Sequence, residues 1–242
     1  MALAPQCAAC AAVLDVPSGS PVCPACWNRI RRLSPPLCRT CGDPLPSWRV
    51  ISDALARCAR CRRRPPAVTL ARAAGEYEGS LREVIHAFKY EGRRGLAGPL
   101  GRLAAAEGRD VLQGAHCVVP VPLHPFRRLQ RGFNQAEDLA GELGLPVANL
   151  LWRPRMTPPQ TGLGAWARRR NVRGAFAWSP FWSWRRRSAL AGRVVVLVDD
   201  VRTTGATLNA CAEVLLDAGI GEVRALTVAR AALPYSRDDT AA

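Results

Sequence analysis

The sequence predicts an α/β protein: a parallel-sheet domain preceded by a small cysteine-rich module. Two observations carry this. Eight cysteines fall into four C-x-x-C pairs within the first quarter of the 242-residue chain. Beyond residue 66, apolar runs without polar alternation take turns with stretches of helical periodicity, the pattern of buried parallel strands joined by crossover helices.

The pairs are Cys7/Cys10, Cys23/Cys26, Cys38/Cys41 and Cys58/Cys61. A C-x-x-C turn presents two thiolates from one knuckle, and two knuckles complete a tetrahedral four-sulfur zinc shell. Twelve residues separate Cys10 from Cys23 and sixteen separate Cys41 from Cys58, gaps that suit zinc ribbons. The reading is one structural zinc on Cys7, Cys10, Cys23 and Cys26 and another on Cys38, Cys41, Cys58 and Cys61, with cross-pairing of the knuckles left open. Gly42 suits the turn that closes a knuckle. Four sulfurs leave no open position for water, so the metals are structural. They make up for a core that about 60 residues with few large apolar side chains do not build. Redox-active C-x-x-C would need a helix N-terminus in a βαβ setting, and four copies argue against it. Disulfides would suit a small secreted chain, but MALAPQCAACAAVLD has no basic residue ahead of its apolar ones and makes a poor secretory signal. Reduced thiolates imply the cytoplasm. Cys117 and Cys211 stand apart in apolar stretches and read as buried small hydrophobes.

Arg62-Arg63-Arg64-Pro65-Pro66 reads as the end of the module and a short stiff linker. Ser80 and Glu83 read as a capping box opening a helix with Leu81, Val84, Ile85 and Phe88 on one face. Leu96, Leu100 and Leu103 mark another helix, and Cys117–Val121 a strand. Asn134 with Glu137 caps a helix carrying Leu139, Ala140 and Leu143. Ala175–Trp178 and Val194–Val198 read as strands, Leu208, Cys211, Ala212 and Leu215 as one helix face, and Val223–Val228 as the next strand. The longest aliphatic run, Val194–Val198, is five residues, too short to span a bilayer.

The strongest candidate site is the stretch VVLVDDVRTTGAT, Val195–Thr207. A buried strand ends in Asp199 and Asp200, and a loop then leads into a helix. Ligands of open parallel sheets bind at the carboxyl ends of strands. Thr203, Thr204, Gly205, Ala206 and Thr207 offer backbone N–H groups and hydroxyls at a helix N-terminus, which favours an anion. The paired acids would repel a phosphate, but they accept hydrogen bonds from vicinal hydroxyls. Together they describe a ribose 5-phosphate pocket.

That stretch resembles the phosphoribosyl pyrophosphate (PRPP) signature of type I phosphoribosyltransferases. The resemblance implies that Asp199 and Asp200 hold the ribose hydroxyls and that 203–207 hold the 5′-phosphate; at Arg202 the signature tolerates several residue types. His86-Ala87-Phe88-Lys89-Tyr90, Val119-Pro120-Val121-Pro122-Leu123, Arg131-Gly132-Phe133-Asn134-Gln135 and Asn171-Val172-Arg173-Gly174-Ala175-Phe176 resemble ComF-type proteins. Those join a double zinc ribbon to a type I phosphoribosyltransferase-like domain. The resemblance runs from Cys7 to about Arg230, and Ser179–Ala191 looks like a local insertion. It divides the chain into a double zinc ribbon at 1–66, a phosphoribosyltransferase-like domain at 67–235 and a disordered tail at 236–242.

Formal charge is +15, and Lys89 is the only lysine among 34 basic residues. A basic surface attracts phosphates of nucleic acid or of a small ligand. Arg127, Arg128 and Arg131, in the loop after the strand that ends near Val121, are candidate pyrophosphate contacts. So are Arg168 and Arg169, which follow Thr157, Gln160 and Thr161 where type I enzymes carry a loop that closes over PRPP. Mg²⁺ accompanies PRPP in such enzymes. His86 and His124 read as structural. Three functions fit: a phosphoribosyltransferase with an acceptor the sequence does not name, a PRPP-fold DNA-binding accessory of natural transformation, or a zinc adaptor with an inert second domain. For the second, the partners implied are single-stranded DNA and DNA-uptake proteins. Trp178, Trp182 and Trp184, exposed-looking among arginines, suit base stacking.

Overall fold

The computed structural model describes residues 4–14, 20–45, 56–154, 174–181 and 184–232. The cysteine module contributes two short helices, α1 (Pro24–Asn28) and α2 (Ala59–Arg63). Next come β1 (Leu70–Glu76), α3 (Gly79–Tyr90), a 3-10 turn at Arg94–Leu96, α4 (Ala97–Glu107), α5 (Arg109–Leu112) and β2 (Cys117–Pro120). Then follow α6 (Pro125–Arg131), α7 (Gln135–Gly141) and the short pair β3 (Leu151–Trp152) and β4 (Ala177–Trp178). The chain continues through α8 (Trp184–Ala189), β5 (Val194–Arg202), α9 (Ala206–Asp217) and β6 (Glu222–Arg230).

The sheet order is β1-β6-β5-β2, and every neighbouring pair is parallel. β5 lies between β6, from Val194↔Glu222 to Arg202↔Arg230, and β2, with Cys117 opposite Val195. On one face Val196, Val198, Leu226 and Val228 pack with Leu81, Ile85 and Phe88 of α3, Leu100 of α4 and Leu139 of α7. On the other, Val195, Leu197, Val223 and Ala225 pack with Leu208, Cys211 and Leu215 of α9. Burial on both faces is why these strands are apolar without alternation. Cys117 and Cys211 are 2% and 0% exposed, buried hydrophobes as expected.

Several local expectations change. Asn134 does cap α7, accepting from the Ala136 amide at 3.1 Å, but Glu137 pairs with Arg128 at 2.8 Å instead of completing the cap. The Ser80/Glu83 capping box does not form. α3 starts two residues earlier, with Glu78 at the N-cap and no side-chain cap bond, and the Glu78 carboxylate reaches Arg31 at 2.6 Å. The loop expected after Val121 contains α6: Pro125 suits the first turn, and His124 Nδ1 accepts from the Phe126 amide at 3.2 Å. Gly132, at φ +77°, ends it. β1 was not among the expected elements: its Leu70-Ala-Arg-Ala-Ala-Gly-Glu lacks β-branched residues.

What makes β1 a strand is its two neighbours. β6 pairs along one side. Along the other, the Ala71 amide donates to Thr40 O at 2.7 Å and the Glu76 amide to Arg31 O at 2.9 Å. The cysteine module thus covers the sheet edge that would otherwise stand open. Contact is close: a Cβ on Gly75 would lie 2.7 Å from Arg31 O, and one on Gly42 2.5 Å from Ala71 O. Cys7, Val22, Cys26 and Ile30 join the core cluster of α3 and α4, so module and sheet share one apolar interior. Among the described residues no helix is long and apolar enough to cross a membrane.

Candidate functional site

The eight knuckle cysteines gather as two sets in sequence order, Cys7/Cys10/Cys23/Cys26 and Cys38/Cys41/Cys58/Cys61, with the ligand atoms of each set within 4.8 Å of one another. Cross-pairing is thereby excluded. All eight are free thiols, and four sulfurs at such spacing suit tetrahedral zinc. The two halves repeat the same hydrogen bonds. The Cys7 amide donates to Ala12 O and the Cys38 amide to Asp43 O; the Cys23 amide donates to Cys7 Sγ and the Cys58 amide to Cys38 Sγ, both at 3.3 Å. Ala11 and Gly42 occupy the same turn position at φ +59° and +67°. Glycine is at ease there and alanine is strained.

The second centre lies at the carboxyl end of β5. Asp199 and Asp200 sit near its last residues, and Gly205, at φ +77°, turns the chain into α9. Thr204 Oγ1 accepts from the Ala206 amide at 3.3 Å. Thr203, Thr204, Gly205, Ala206 and Thr207 are all half-buried. Strand, acids, loop and helix therefore stand in the order the sequence predicts.

Each charge here meets a residue that local sequence reasoning did not single out. Lys89 Nζ of α3 lies 2.8 Å from Asp200 Oδ1, with 15% and 12% of the two side chains exposed. Burial opposes the Lys89 charge, but Asp200, with Asp199 behind it, holds its pKa above the usual lysine value. Lys89 stood out as the only lysine in an arginine-rich chain and as part of the ComF-like stretch His86–Tyr90, and neither signal pointed to Asp200. Arg153 is 6% exposed and stacks 5.1 Å over the Phe176 ring. Burial and the nearby Arg127 both lower its pKa. Asp199 is less fully compensated. Burial, then Asp200, pushes it up to about 7, against the smaller opposing pull of Lys89 and Arg153. Arg202, two residues beyond the acids, is 4% exposed and bonds through Nη2 to Asp43 Oδ1 at 2.6 Å. Arg230 Nε reaches the same oxygen at 2.7 Å, and Arg60 reaches Asp43 Oδ2 at 2.7 Å.

The arginines divide. Of those on α6, Arg127 is half-buried and lies near Arg153. Arg128 is exposed and held by Glu137, while Arg131 bonds Gln135 and stacks 4.9 Å over Tyr90. Arg168 and Arg169 lie outside the described residues, as do Thr157, Gln160, Thr161, Trp182 and the 236–242 tail. Trp178 is not an exposed stacking platform: it is half-buried against the α9 side of the core, with Arg187 5.5 Å over its ring. His124 is structural, as the cap of α6. His86 is more than half exposed and leans on Tyr90 at 4.8 Å between centroids.

Residues 1–62 match the family model of the double zinc ribbon domain, and 129–242 match that of the phosphoribosyl transferase domain. Competence protein F of Haemophilus influenzae is 31% identical over 220 residues, covering 87% of this chain and 90% of that protein. The chain belongs to the ComF family. DNA utilization protein YhgH of Escherichia coli is 31% identical across 86% of this ComF-family chain and 90% of its own length. Competence protein ComFC of Bacillus subtilis is 27% identical across 82% and 79%. Among solved structures, orotate phosphoribosyltransferase from Aeropyrum pernix aligns with a TM-score of 0.32 and 20% identity over 62% of this chain and 76% of that one.

Metal analysis of the ComF-family protein is expected to give about two zinc ions per chain; a value near zero from metal-replete protein would refute both clusters. The acid pair gives a second expectation. A carboxyl whose folded pKa is raised costs nothing below its unfolded pKa near 4. The cost grows as pH rises and is complete above about 7, the folded value of Asp199. Asp199→Asn should therefore raise thermal stability at pH 8 by about 1–2 kcal/mol, and the gain should vanish toward pH 4. A variant that melts lower than the parent at pH 8 contradicts this.

Proposed function

We propose that the chain binds PRPP, or a related ribose 5-phosphate ligand, at the carboxyl end of β5 and passes its phosphoribosyl group to an acceptor. One observation carries the reading: two adjacent acids and a glycine-turned helix N-terminus leave the same end of one buried parallel strand. Asp199 and Asp200 accept hydrogen bonds from the ribose 2′ and 3′ hydroxyls. Thr203, Thr204, Gly205, Ala206 and Thr207 receive the 5′-phosphate where the α9 dipole favours negative charge. Lys89 offsets the charge of Asp200, so the acid pair stays compact before ligand arrives.

In the transfer the bond between ribose C1 and a pyrophosphate oxygen breaks, and its electron pair leaves with pyrophosphate. A lone pair of the acceptor forms the new bond at C1. Mg²⁺ bound with the diphosphate would supply charge compensation for the leaving group. Arg127, with Arg168 and Arg169, is the cationic candidate for pyrophosphate, through the planar fork that matches phosphate oxygens. Reduced thiolates on zinc support a cytoplasmic setting. Calorimetric titration with PRPP and Mg²⁺ tests the reading. Binding that Asp200→Asn weakens at least about tenfold, a loss of about 1.4 kcal/mol, is expected; no binding by the parent protein would refute it.

A second reading rests on α6. Phe126 and Leu129 are 55% and 83% exposed beside Arg128, and Tyr90, 62% exposed, stacks under Arg131. Aromatic and cationic groups on one surface suit single-stranded nucleic acid, and relatives named for competence and DNA utilization support a role alongside DNA-uptake proteins. Affinity for a single-stranded oligonucleotide should fall at least about tenfold between 50 and 200 mM salt. Absent or salt-insensitive binding would remove this reading.

A further inference from the structure

The two cysteine sets share a backbone plan, and two of the side chains in which they differ are charged in the second. Where the first carries Ala12, the second carries Asp43, as the matching bonds Cys7 N to Ala12 O and Cys38 N to Asp43 O show. Where α1 of the first carries Ala25, between Cys23 and Cys26, α2 of the second carries Arg60, between Cys58 and Cys61. The first knuckle gathers its four sulfurs with alanine at both places. An acid and a guanidinium are therefore not what closes such a knuckle, and their use lies elsewhere.

Asp43 points into the sheet. Its carboxylate, 12% exposed, accepts from Arg202, Arg230 and Arg60 at 2.6–2.7 Å. Arg202 directly precedes the Thr203–Thr207 loop. Its Nε is buried without a partner, so Asp43 is the carboxylate that offsets its charge. Its stem lies beneath the turn: a Cβ on Gly205 would meet Arg202 Cδ at 3.9 Å. The Ala231 amide closes the other side, donating to Arg202 O at 2.8 Å. Gly42, pressed on Ala71 O, and the Cys38–Asp43 backbone bond fix where Asp43 stands.

We propose that Asp43 of the second zinc knuckle is a positioning residue for the phosphate loop, acting through Arg202, so that the 5′-phosphate site is complete only when that knuckle is formed. The inference rests on the phosphoribosyl reading of the loop. It gives the zinc module a part in ligand binding with no metal at the reacting atoms.

The test compares the full-length, zinc-loaded parent with Asp43→Asn and Asp43→Glu, using ribose 5-phosphate as the probe. Asp43→Asn should keep about two zinc ions per chain and lose about tenfold or more in affinity, within the range of ordinary site coupling. Amide protons of 203–207 should exchange faster than in the parent while those of β6 hold. Asp43→Glu should recover at least part of the affinity. Unchanged affinity with unchanged loop exchange would overturn the proposal, and so would faster exchange spread evenly over the sheet. If Asp43→Asn does not fold, Arg202→Lys, which keeps a cation and loses the fork, is read in the same way. If the parent itself fails to bind ribose 5-phosphate, the phosphoribosyl reading falls, and the exchange comparison alone decides whether Asp43 orders the loop.

Discussion

Charge buried at the end of β5 is the constraint around which the structure is assembled. Asp199, Asp200 and Arg202 fall within four consecutive positions of a strand whose earlier residues are buried on both faces. A charge left alone in such a place costs several kcal/mol, and removing one partner of a buried pair typically costs about 3–5 kcal/mol. The compensating groups come from distant parts of the chain: Lys89 from α3, Asp43 from the second knuckle, and Arg153 from just beyond β3. The strand end therefore holds its charges only when helix layer, cysteine module and β3 segment are all in place. One electrostatic requirement ties together elements that hydrophobic packing would join less specifically.

The cysteine module follows the same logic from the other side. It contributes Val22, Ile30 and Leu33 as large buried aliphatics, too little for an independent core of its size. Metal coordination supplies the local rigidity, and docking supplies the rest. By donating Thr40 O and Arg31 O to β1 amides, the module completes hydrogen bonding along the edge of the sheet. A strand of small residues is sufficient there, because its backbone is paired on both sides and its side chains must leave room for the close approach at Gly75. Arg31–Glu78 and Arg32–Glu107 sit at the rim; such exposed pairs contribute about 1 kcal/mol or less each and set orientation more than stability.

What was legible in the sequence was whatever is contiguous. The apolar run, the acids, the threonine loop and the following helix face occupy one stretch, so β5, α9 and the candidate site were read in order. The cysteine sets were legible because ligand spacing is local. β1 was not, since its strand character comes from β6 and the module rather than from Leu70-Ala-Arg-Ala-Ala-Gly-Glu itself. The Ser80/Glu83 pattern misled because the helix is already under way at Ser80, its first turn closing from the Arg82 amide to Glu78 O at 3.3 Å. Arg202 gave no sign of its role: its partner lies 159 positions away, and nothing near Asp43 announces a buried cluster. Residues joined only by the fold are invisible to periodicity and motif alike.

The three charges of β5 are also compensated unequally, and the inequality falls where the ligand would sit. Arg202 shares the Asp43 carboxylate with Arg60 and Arg230, and Asp200 has Lys89. Asp199 has the Asp200 amide on Oδ1 at 2.9 Å and the weaker pull of Lys89 and Arg153, against burial and a like-charged neighbour. Sites that break a local rule in an otherwise consistent structure are where function concentrates. A vicinal diol would add two O–H donors to the acids, beside the Asp200 amide that already donates to Asp199 Oδ1. Ionised Asp199 accepts such a bond and protonated Asp199 accepts it less well, so affinity for a ribose should rise as pH passes about 7, in the range where the fold loses the stability a neutral Asp199 would give it. Stability and binding then pull in opposite directions at one carboxyl group, the kind of conflict that concentrates at ligand sites.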